Sequence, residues 1–245
     1  MNKVFYLLLL LCLSACQHTN TPKITTILAG DSGYLAKKYL LPYILSEKLL
    51  DTSGTSQRWN ELQDSTIIGK YYKNERNYII CINNLSDAAT SVILCETNHT
   101  GHIGVHTYYG QSLAQNSCTG IGISGFGKMQ DYYFIRSCVW GSLYAGSELT
   151  FFKNVLPQET LNSIPESSWR GLVKGDTSIY RELQATIHIS HDSINAHYAI
   201  IQEIEKVPAG PRTARETIDS FDVVYLMKDK QWIATDSAKI TLYRN

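Results

Sequence analysis

Apolar and polar residues alternate along much of the chain with a period of two. This period is typical of strands that bury one face. Turn-forming Asn, Asp, Ser and Gly residues separate the alternating stretches. The predicted strands are 67–72, 78–83, 91–97, 102–109, 120–124, 131–140, 147–152, 221–227, 231–235 and 239–243. Short strands at this spacing predict a mainly β fold, or a β-rich α+β fold, with antiparallel sheets in a sandwich or barrel-like arrangement.

A further hairpin is predicted between residues 186–189 and 194–201. We take residues 192–193, Asp and Ser, as the two central positions of its turn. In that register His188 lies opposite His197 on a polar face, and the other face is apolar. The hairpin therefore predicts a pair of imidazoles on neighbouring strands.

Only short helices are predicted, most of them in the N-terminal segment. The Asp-Ser pair at 31–32 is a typical N-cap before the helix formers of 33–40. Pro42 suits the first position of a helix, which predicts a second helix over 42–50. The same reasoning predicts a third helix over 157–164. The helices therefore add a minor element to a sheet protein.

The N-terminal residues have the three parts of an export signal. Lys3 follows the start, residues 4–13 are apolar, and small residues lead into Cys16. The apolar run is shorter than the roughly 18–20 residues that a membrane-spanning helix needs. The sequence Leu-Ser-Ala-Cys at 13–16 resembles the lipobox of bacterial lipoproteins.

The lipoprotein resemblance implies cleavage before Cys16, two acyl chains on its thiol and usually a third on the new amine. One acyl chain gives only marginal membrane binding, whereas two or three hold a protein firmly. The membrane is therefore an expected partner through Cys16. In this family, Asp after the cysteine signals inner-membrane retention in many bacteria, so Gln17 indicates the outer membrane, facing the periplasm.

Three segments follow from these observations. Residues 1–15 are the predicted signal peptide, residues 16–30 the lipidated cysteine and a tether, and residues 31–245 a single β-rich domain. No linker composition marks a boundary inside that domain, but a division near residues 153–176 stays open.

Composition restricts the classes of partner. The chain has 22 basic and 22 acidic residues, and no cluster of Lys or Arg stands out along it. We therefore expect neither nucleic acid nor an anionic lipid surface as the main partner. The 16 tyrosines suit both strands and binding surfaces, because a rigid ring buries area at little entropic cost.

Four cysteines remain besides Cys12 and Cys16. They are Cys81, Cys95, Cys118 and Cys138. Their wide spacing offers no zinc-ribbon or thioredoxin-like motif. An oxidising periplasm permits disulfides. We favour the pairs Cys81–Cys95 and Cys118–Cys138, because each bond would span a predicted hairpin. The alternative is four buried thiols that pack as small apolar groups.

Histidines are the main candidates for metal ligands. His188 and His197, as a cross-strand pair, would lie about 5 Å apart and could supply two ligands to zinc. His99, His102 and His106 are close in sequence, but along one strand His102 and His106 are about 13 Å apart. No HExxH motif is present, and no third ligand can be assigned.

Other chemical motifs are weak. Residues 120–125 match GxGxxG, but the strand before it and the helix after it that a dinucleotide site requires are not predicted. No catalytic residue can be named. The sequence therefore favours a non-enzymatic binding or assembly module of the cell envelope, with an envelope protein or a small ligand as partner. Two alternatives stay open: an envelope hydrolase, metal-assisted through His188 and His197, and an inhibitor or immunity-like protein.

Overall fold

A computed structural model of the chain describes residues 23–46, 49, 61–84, 91–110, 122–141, 144–155, 162–206 and 215–244. Two antiparallel sheets dominate it, which confirms the predicted β-rich fold. The first sheet contains β1 (Ser32–Ala36), β2 (Ile67–Asn74), β3 (Asn77–Asn84), β4 (Ser91–Thr97) and β5 (Ile103–Gly110). The second contains β6 (Phe126–Met129), β7 (Tyr132–Gly141), β8 (Tyr144–Phe152), β9 (Ser163–Lys174), β10 (Thr177–Ser190), β11 (Ser193–Lys206), β12 (Glu216–Lys228) and β13 (Gln231–Ala234). Two α-helices have both ends within the described residues, α1 (Lys37–Ser46) and α2 (Ser237–Arg244).

Strand order follows chain order within each sheet, so each strand pairs with the next strand of its own sheet. Apolar side chains point alternately to the two faces of β3, which explains how the five-stranded sheet is buried on both faces. Ile80 and Ile82 belong to a core under α1, whereas Ile79 and Cys81 belong to a core against the second sheet. All four side chains have 0% exposure, because each face of β3 has its own apolar cover.

The eight-stranded sheet curls around its own core. Trp232 on β13 contacts Tyr132 on β7 with ring centroids 5.3 Å apart. Its indole Nε1 also donates to the carbonyl of Phe151 on β8 at 3.1 Å. Strands from opposite ends of the sheet therefore meet, and the enclosed space is filled by large side chains such as Tyr198 and Phe221.

The two sheets stack where β6, β7 and β8 cover β3 and β4. Phe126, Tyr133 and Phe152 supply the aromatic side of this interface. Polar bonds cross it as well, since the Tyr133 hydroxyl donates to the carbonyl of Lys73 at 2.9 Å and Lys70 Nζ donates to the carbonyl of Phe126 at 2.6 Å. The interface therefore combines apolar burial with directional contacts.

The predicted helix over 33–40 is wrong in its first half. Residues 32–36 form β1, which pairs with β2, and α1 begins at Lys37. Pro42 lies inside α1 rather than at the start of a second helix. Strand pairing overrode the local N-cap signal, because β1 gains both hydrogen bonds to β2 and burial of Leu35.

Other local predictions also failed. Residues Gly122–Gly125 form a short 3-10 helix rather than the end of a strand. Residues 239–243 lie in helix α2, whose Ile240 is buried in the core of the eight-stranded sheet. Strand β9 begins at Ser163, where the predicted helix over 157–164 was to continue. Residues 157–161 of that predicted helix lie outside the described residues.

The predicted signal peptide and Cys16 lie outside the described residues. The domain was predicted to begin at residue 31. Residues before this position already pack in it, because Ile24 and Leu28 are buried in the core under α1. Among the described residues, no helix has the length and apolar character needed to cross a membrane.

Candidate functional site

A polar cleft of about 290 Å³ lies at the junction of the two sheets. Its walls come from the β2–β3 turn, the end of β4, the loop that follows it and the segment after β8. The described lining residues are Asn74, Glu75, Arg76, Asn77, Glu96, His99 and Asn154. Each of these side chains can donate or accept a hydrogen bond, so the cleft is suited to a polar ligand.

The β2–β3 turn presents four of these residues. Asn74 and Asn77 are the last paired residues of the hairpin, and Glu75 and Arg76 form its two-residue loop. Glu75 has a φ of 51°, the left-handed conformation that two-residue hairpin turns require. Because opposed residues share a face of the sheet, both asparagine side chains lie on the same face.

The loop after β4 presents His99. The side-chain oxygen of Asn98 accepts from the backbone N–H of Thr100 at 3.0 Å and from that of His102 at 3.1 Å. The backbone N–H of Asn98 donates to the carbonyl of His102 at 2.8 Å. These bonds hold the loop in a closed turn, with the His99 side chain exposed at its tip.

Hydrogen bonds tie the wall formed by the first sheet to the segment after β8. Glu96 Oε2 accepts from the backbone N–H of Val155 at 3.1 Å. Asn74 Nδ2 is 3.4 Å from the carbonyl of Lys153 and 3.5 Å from Oδ1 of Asn154. The two walls are therefore held together by groups that belong to the cleft itself.

A buried tyrosine lies beneath this wall. Burial raises the pKa of Tyr133 to about 12, and the charges of Glu96 and Asp131 act in the same direction. The phenol therefore stays protonated at neutral pH and donates to the carbonyl of Lys73. Tyr133 anchors the end of β2 rather than acting as an acid or a base at neutral pH.

Asn77 is the unusual member of the cleft. Its Oδ1 atom is buried and has no hydrogen-bond donor among the described residues. An unsatisfied buried acceptor costs about 1–3 kcal/mol. Arg76 and His99 are exposed and make no ion pair within the described part of the chain, so the lining combines an unsatisfied acceptor below its surface with a cation open to a ligand.

The described lining residues contain no Ser, Thr, Cys or Lys that would serve as a nucleophile. Their only carboxylates are Glu75, in the turn, and Glu96, which already accepts a backbone hydrogen bond. This arrangement can hold and orient a ligand through charge and hydrogen bonds.

The predicted pairing of His188 with His197 is wrong. His188 lies opposite Asn195, and His197 lies opposite Thr186. The turn is formed by residues 191–192, one position earlier than predicted, which shifts the register by two residues. The two histidines remain on one face, but as diagonal neighbours about 7–8 Å apart rather than as a directly opposed pair.

The environment of His197 does not favour zinc. His197 Nδ1 lies 2.9 Å from Oδ1 of Asp222, its cross-strand neighbour, with side chains 50% and 80% exposed. His188 and the turn residue Asp192 are exposed as well. The described segments contain no group of three or more His, Cys, Asp or Glu side chains that could hold a metal ion.

The predicted disulfide between Cys81 and Cys95 is also wrong. Cys81 lies opposite Leu94, and Cys95 lies opposite Ile80. Because side chains alternate along a strand, the two sulfur atoms point to opposite faces of the sheet. Both are buried thiols, Cys81 in the core between the sheets and Cys95 in the core under α1. A register difference of one residue separates the prediction from the structure.

The remaining predicted site residues are only partly described. Cys138 lies on β7 and is buried. Cys118 and Cys16 lie outside the described residues, so the Cys118–Cys138 pairing and the lipidation of Cys16 stay predictions.

Sequence reasoning missed the most distinctive residues of the polar cleft. Residues 74–76 signal only a turn, and nothing in the pattern around Glu96 marks it as a site residue. Of the three histidines close in sequence, only His99 lines the cleft. The sequence signal that could have pointed to the cleft is the pair of asparagines, Asn74 and Asn77, that flank the two-residue turn.

Comparison with known proteins adds no relative. No protein family model, curated protein or solved structure matches this chain.

Proposed function

We propose that this protein is a lipid-anchored component of the cell envelope that binds a small polar ligand in the polar cleft without converting it. The export signal and the lipobox-like sequence ending at Cys16 support the location. The observation that carries the binding role is the buried Asn77 Oδ1, which lacks a donor and lies in one lining with Arg76. A ligand donor would relieve its cost.

The charges of the cleft favour a ligand with both a carboxylate and an ammonium group, such as an amino acid or a short peptide. Arg76 suits the carboxylate, because its guanidinium can donate two parallel hydrogen bonds. Asn77 Oδ1 and the Glu96 carboxylate suit the ammonium group. A volume of about 290 Å³ is at the small end of ligand sites and fits a ligand of this size.

The thiols described above agree with an oxidising compartment. Burial raises the pKa of the Cys81 thiol, and the neighbouring Cys95 acts in the same direction. A protonated, buried thiol reacts slowly with oxidants. In this proposal Cys118 and Cys138 form the disulfide that the periplasm permits.

Metabolic labelling tests the location. Bacteria that express the full chain are grown with radiolabelled palmitate, and a Cys16→Ser variant serves as the control. We expect label and membrane association in the parent chain and neither in the variant. An unlabelled parent chain in the soluble fraction would refute the lipid anchor.

Calorimetry with defined peptides tests the cleft. Alanyl-alanine is compared with its N-acetylated and C-amidated forms, which remove one charge each. We expect both blocked forms to bind more weakly than the parent dipeptide. An Arg76→Gln variant should bind alanyl-alanine about 10–100-fold more weakly, whereas Lys128→Gln, an exposed residue that does not line the cleft, should bind as the parent chain does. Equal binding of all three peptides would refute this ligand class.

A further inference from the structure

Three strands of the second sheet extend past its core. Leu183 on β10 and Ile200 on β11 are opposed and buried, with 3% and 1% exposure. Beyond them, the paired segments 169–174, 177–182 and 201–206 continue the sheet. The first residues of β8 and β12 still flank their base, and the rest forms a three-stranded projection. We call this projection the β-tongue. Most of its side chains are exposed or only partly buried.

Pairing assigns every side chain of the β-tongue to one of two faces. Three rows of opposed residues lie on the first face. The rows are Arg170–Arg181–Gln202, Leu172–Ile179–Ile204 and Lys174–Thr177–Lys206. This face, which we call the cationic face, therefore has an apolar middle row between two rows that each contain two cations.

The opposite face has the reverse charge. Glu182, Glu203 and Glu205 lie on it, together with Trp169 and Tyr180, whose rings stack 5.5 Å apart. Because successive side chains alternate across a strand, the three paired segments place all their cations on one face and all their carboxylates on the other.

Two carboxylates lie at the margins of the cationic face. Asp176 is in the β9–β10 turn, and Glu216 lies opposite Gln202 on the neighbouring strand β12. Neither interrupts the four cations and the apolar row between them.

The cationic face is open to solvent. Its four cations are exposed, and Leu172 is 57% exposed. None of these cations takes part in an ion pair with another described residue. Arg181 Nε donates to the amide oxygen of Gln202 at 3.1 Å, which holds its side chain along the face. Tyr144, 49% exposed, lies opposite Arg170 at one side.

We propose that the cationic face of the β-tongue rests on an anionic phospholipid bilayer. Cations near such a surface are attracted to lipid phosphates, and each increases binding about fivefold. The apolar row between them can enter the boundary between headgroups and acyl chains. The chain has a formal charge of zero, so the attraction arises from the segregation of charge on this one projection.

The size of the face argues for a bilayer over a protein partner. Three strands span about 10 Å in width, and the three rows span about 13 Å along the strands. These dimensions give an area of about 130 Å², well below the roughly 800 Å² that each partner of a stable protein complex buries. A bilayer needs no minimum area, because its lipids rearrange around the contact. This inference does not depend on the polar cleft or on acylation of Cys16.

Vesicle binding of the full chain, produced without acylation, tests the proposal. Vesicles of equal parts phosphatidylglycerol and phosphatidylcholine are compared with vesicles of phosphatidylcholine alone, at low and high salt. The test variant combines Arg170→Gln, Lys174→Gln, Arg181→Gln and Lys206→Gln. The control combines Lys38→Gln, Lys128→Gln, Lys228→Gln and Lys230→Gln, which removes the same charge from exposed sites elsewhere.

We expect the parent chain and the control to prefer anionic vesicles, and high salt to weaken that preference. The test variant should lose at least about tenfold of its affinity for anionic vesicles, since each cation contributes about fivefold. A Leu172→Gln variant should bind more weakly to anionic vesicles at both salt concentrations. Equal losses in the test and control variants, or no preference of the parent chain for anionic vesicles, would overturn the proposal.

Discussion

The carboxylate of Glu96 accepts a hydrogen bond from the backbone N–H of Val155 at 3.1 Å. Glu96 lies on β4 of the first sheet, and Val155 follows the last residues of β8 in the second. One side chain therefore joins the two sheets at the wall of the polar cleft. The contact is directional, whereas the apolar interface beside it specifies only that the sheets stack.

Removing this bond should loosen the cleft. We expect Glu96→Ala to lower the free energy of unfolding by about 1–2 kcal/mol, because the Val155 N–H loses its acceptor. Glu96→Gln keeps a side-chain oxygen in place and should cost less than Glu96→Ala. Urea unfolding of both variants measures the difference, and equal losses would contradict the role of this hydrogen bond.

Asn77 should limit stability. Replacing it with Leu removes an unsatisfied buried acceptor, so we expect Asn77→Leu to raise the free energy of unfolding by about 1 kcal/mol. The same change should abolish binding in the cleft. Asn74→Leu is the matched control, because Asn74 already makes hydrogen bonds to Lys153 and Asn154. Thermal unfolding of both variants tests this, and a less stable Asn77→Leu would count against it.

A tyrosine pair inside the curled sheet should be sensitive to loss of a single oxygen. The hydroxyls of Tyr198 and Tyr225 lie 2.8 Å apart, and the Tyr198 hydroxyl also donates to the carbonyl of Pro165 at 3.0 Å. We expect Tyr198→Phe to cost about 1–3 kcal/mol, because two buried groups lose their partner. Tyr225→Phe should cost less, and denaturant unfolding would show that order. The reverse order would contradict the network.

Stability should fall in alkaline solution. Burial raises the pKa values of Tyr133 and Tyr225 from 10.0 to about 12. Between pH 10.0 and about pH 12, both phenols are ionised in the unfolded chain but remain protonated in the folded one. The folded state binds more protons there, so the stability that these phenols provide below pH 10.0 is lost as the pH rises to about 12.

Each phenol should account for a loss of about 3 kcal/mol across that window, because one pKa unit corresponds to about 1.4 kcal/mol. Tyr133→Phe should make the dependence on pH shallower, since Phe does not titrate. Urea unfolding below, within and above the window measures the slope. An unchanged slope in Tyr133→Phe would show that this phenol does not contribute.

Thiol labelling should distinguish the two cysteine pairs. Cys81 and Cys95 have 0% exposure, so we expect no reaction with a maleimide in the folded protein. After unfolding without reductant, both should be labelled. Peptide mass mapping would locate the label. Labelling of these two cysteines only after reduction would contradict the structure, whereas reductant-dependent labelling of Cys118 and Cys138 would support their proposed disulfide.

The strands of the chain could largely be predicted from the sequence, because alternation is a local property. Strands β2 to β5, β7 and β12 lie where the pattern placed them. Register is different, because it depends on turn geometry and on partners in both neighbouring strands. A shift of one residue separated Cys81 from Cys95, and a shift of two separated His188 from His197.

The elements at the ends of the described chain show where local signals lose to tertiary packing. An N-cap pattern preceded residues 33–36, yet they form a strand that pairs with β2. An alternating pattern covered residues 239–243, yet they form a helix that places Ile240 in the core. In both places a short segment adopted the structure that buried its apolar side chains.

Both candidate surfaces needed the tertiary structure. The four cations of the cationic face are separated along the chain and form no basic cluster in the sequence. They are Arg170, Lys174, Arg181 and Lys206. Pairing of β9, β10 and β11 places all four on one face. The polar cleft likewise joins a hairpin turn, a loop and a segment more than fifty residues away, from Asn74 to Asn154.

The sequence by itself determined the class of fold and an expected export signal, because both depend on the order of apolar and polar residues within short windows. Only the tertiary structure decided which polar groups meet, which core each described free thiol enters and which face of the β-tongue carries positive charge. Those outcomes depend on strand register and on the stacking of two sheets. Both arise from the sum of many distant contacts rather than from any one segment.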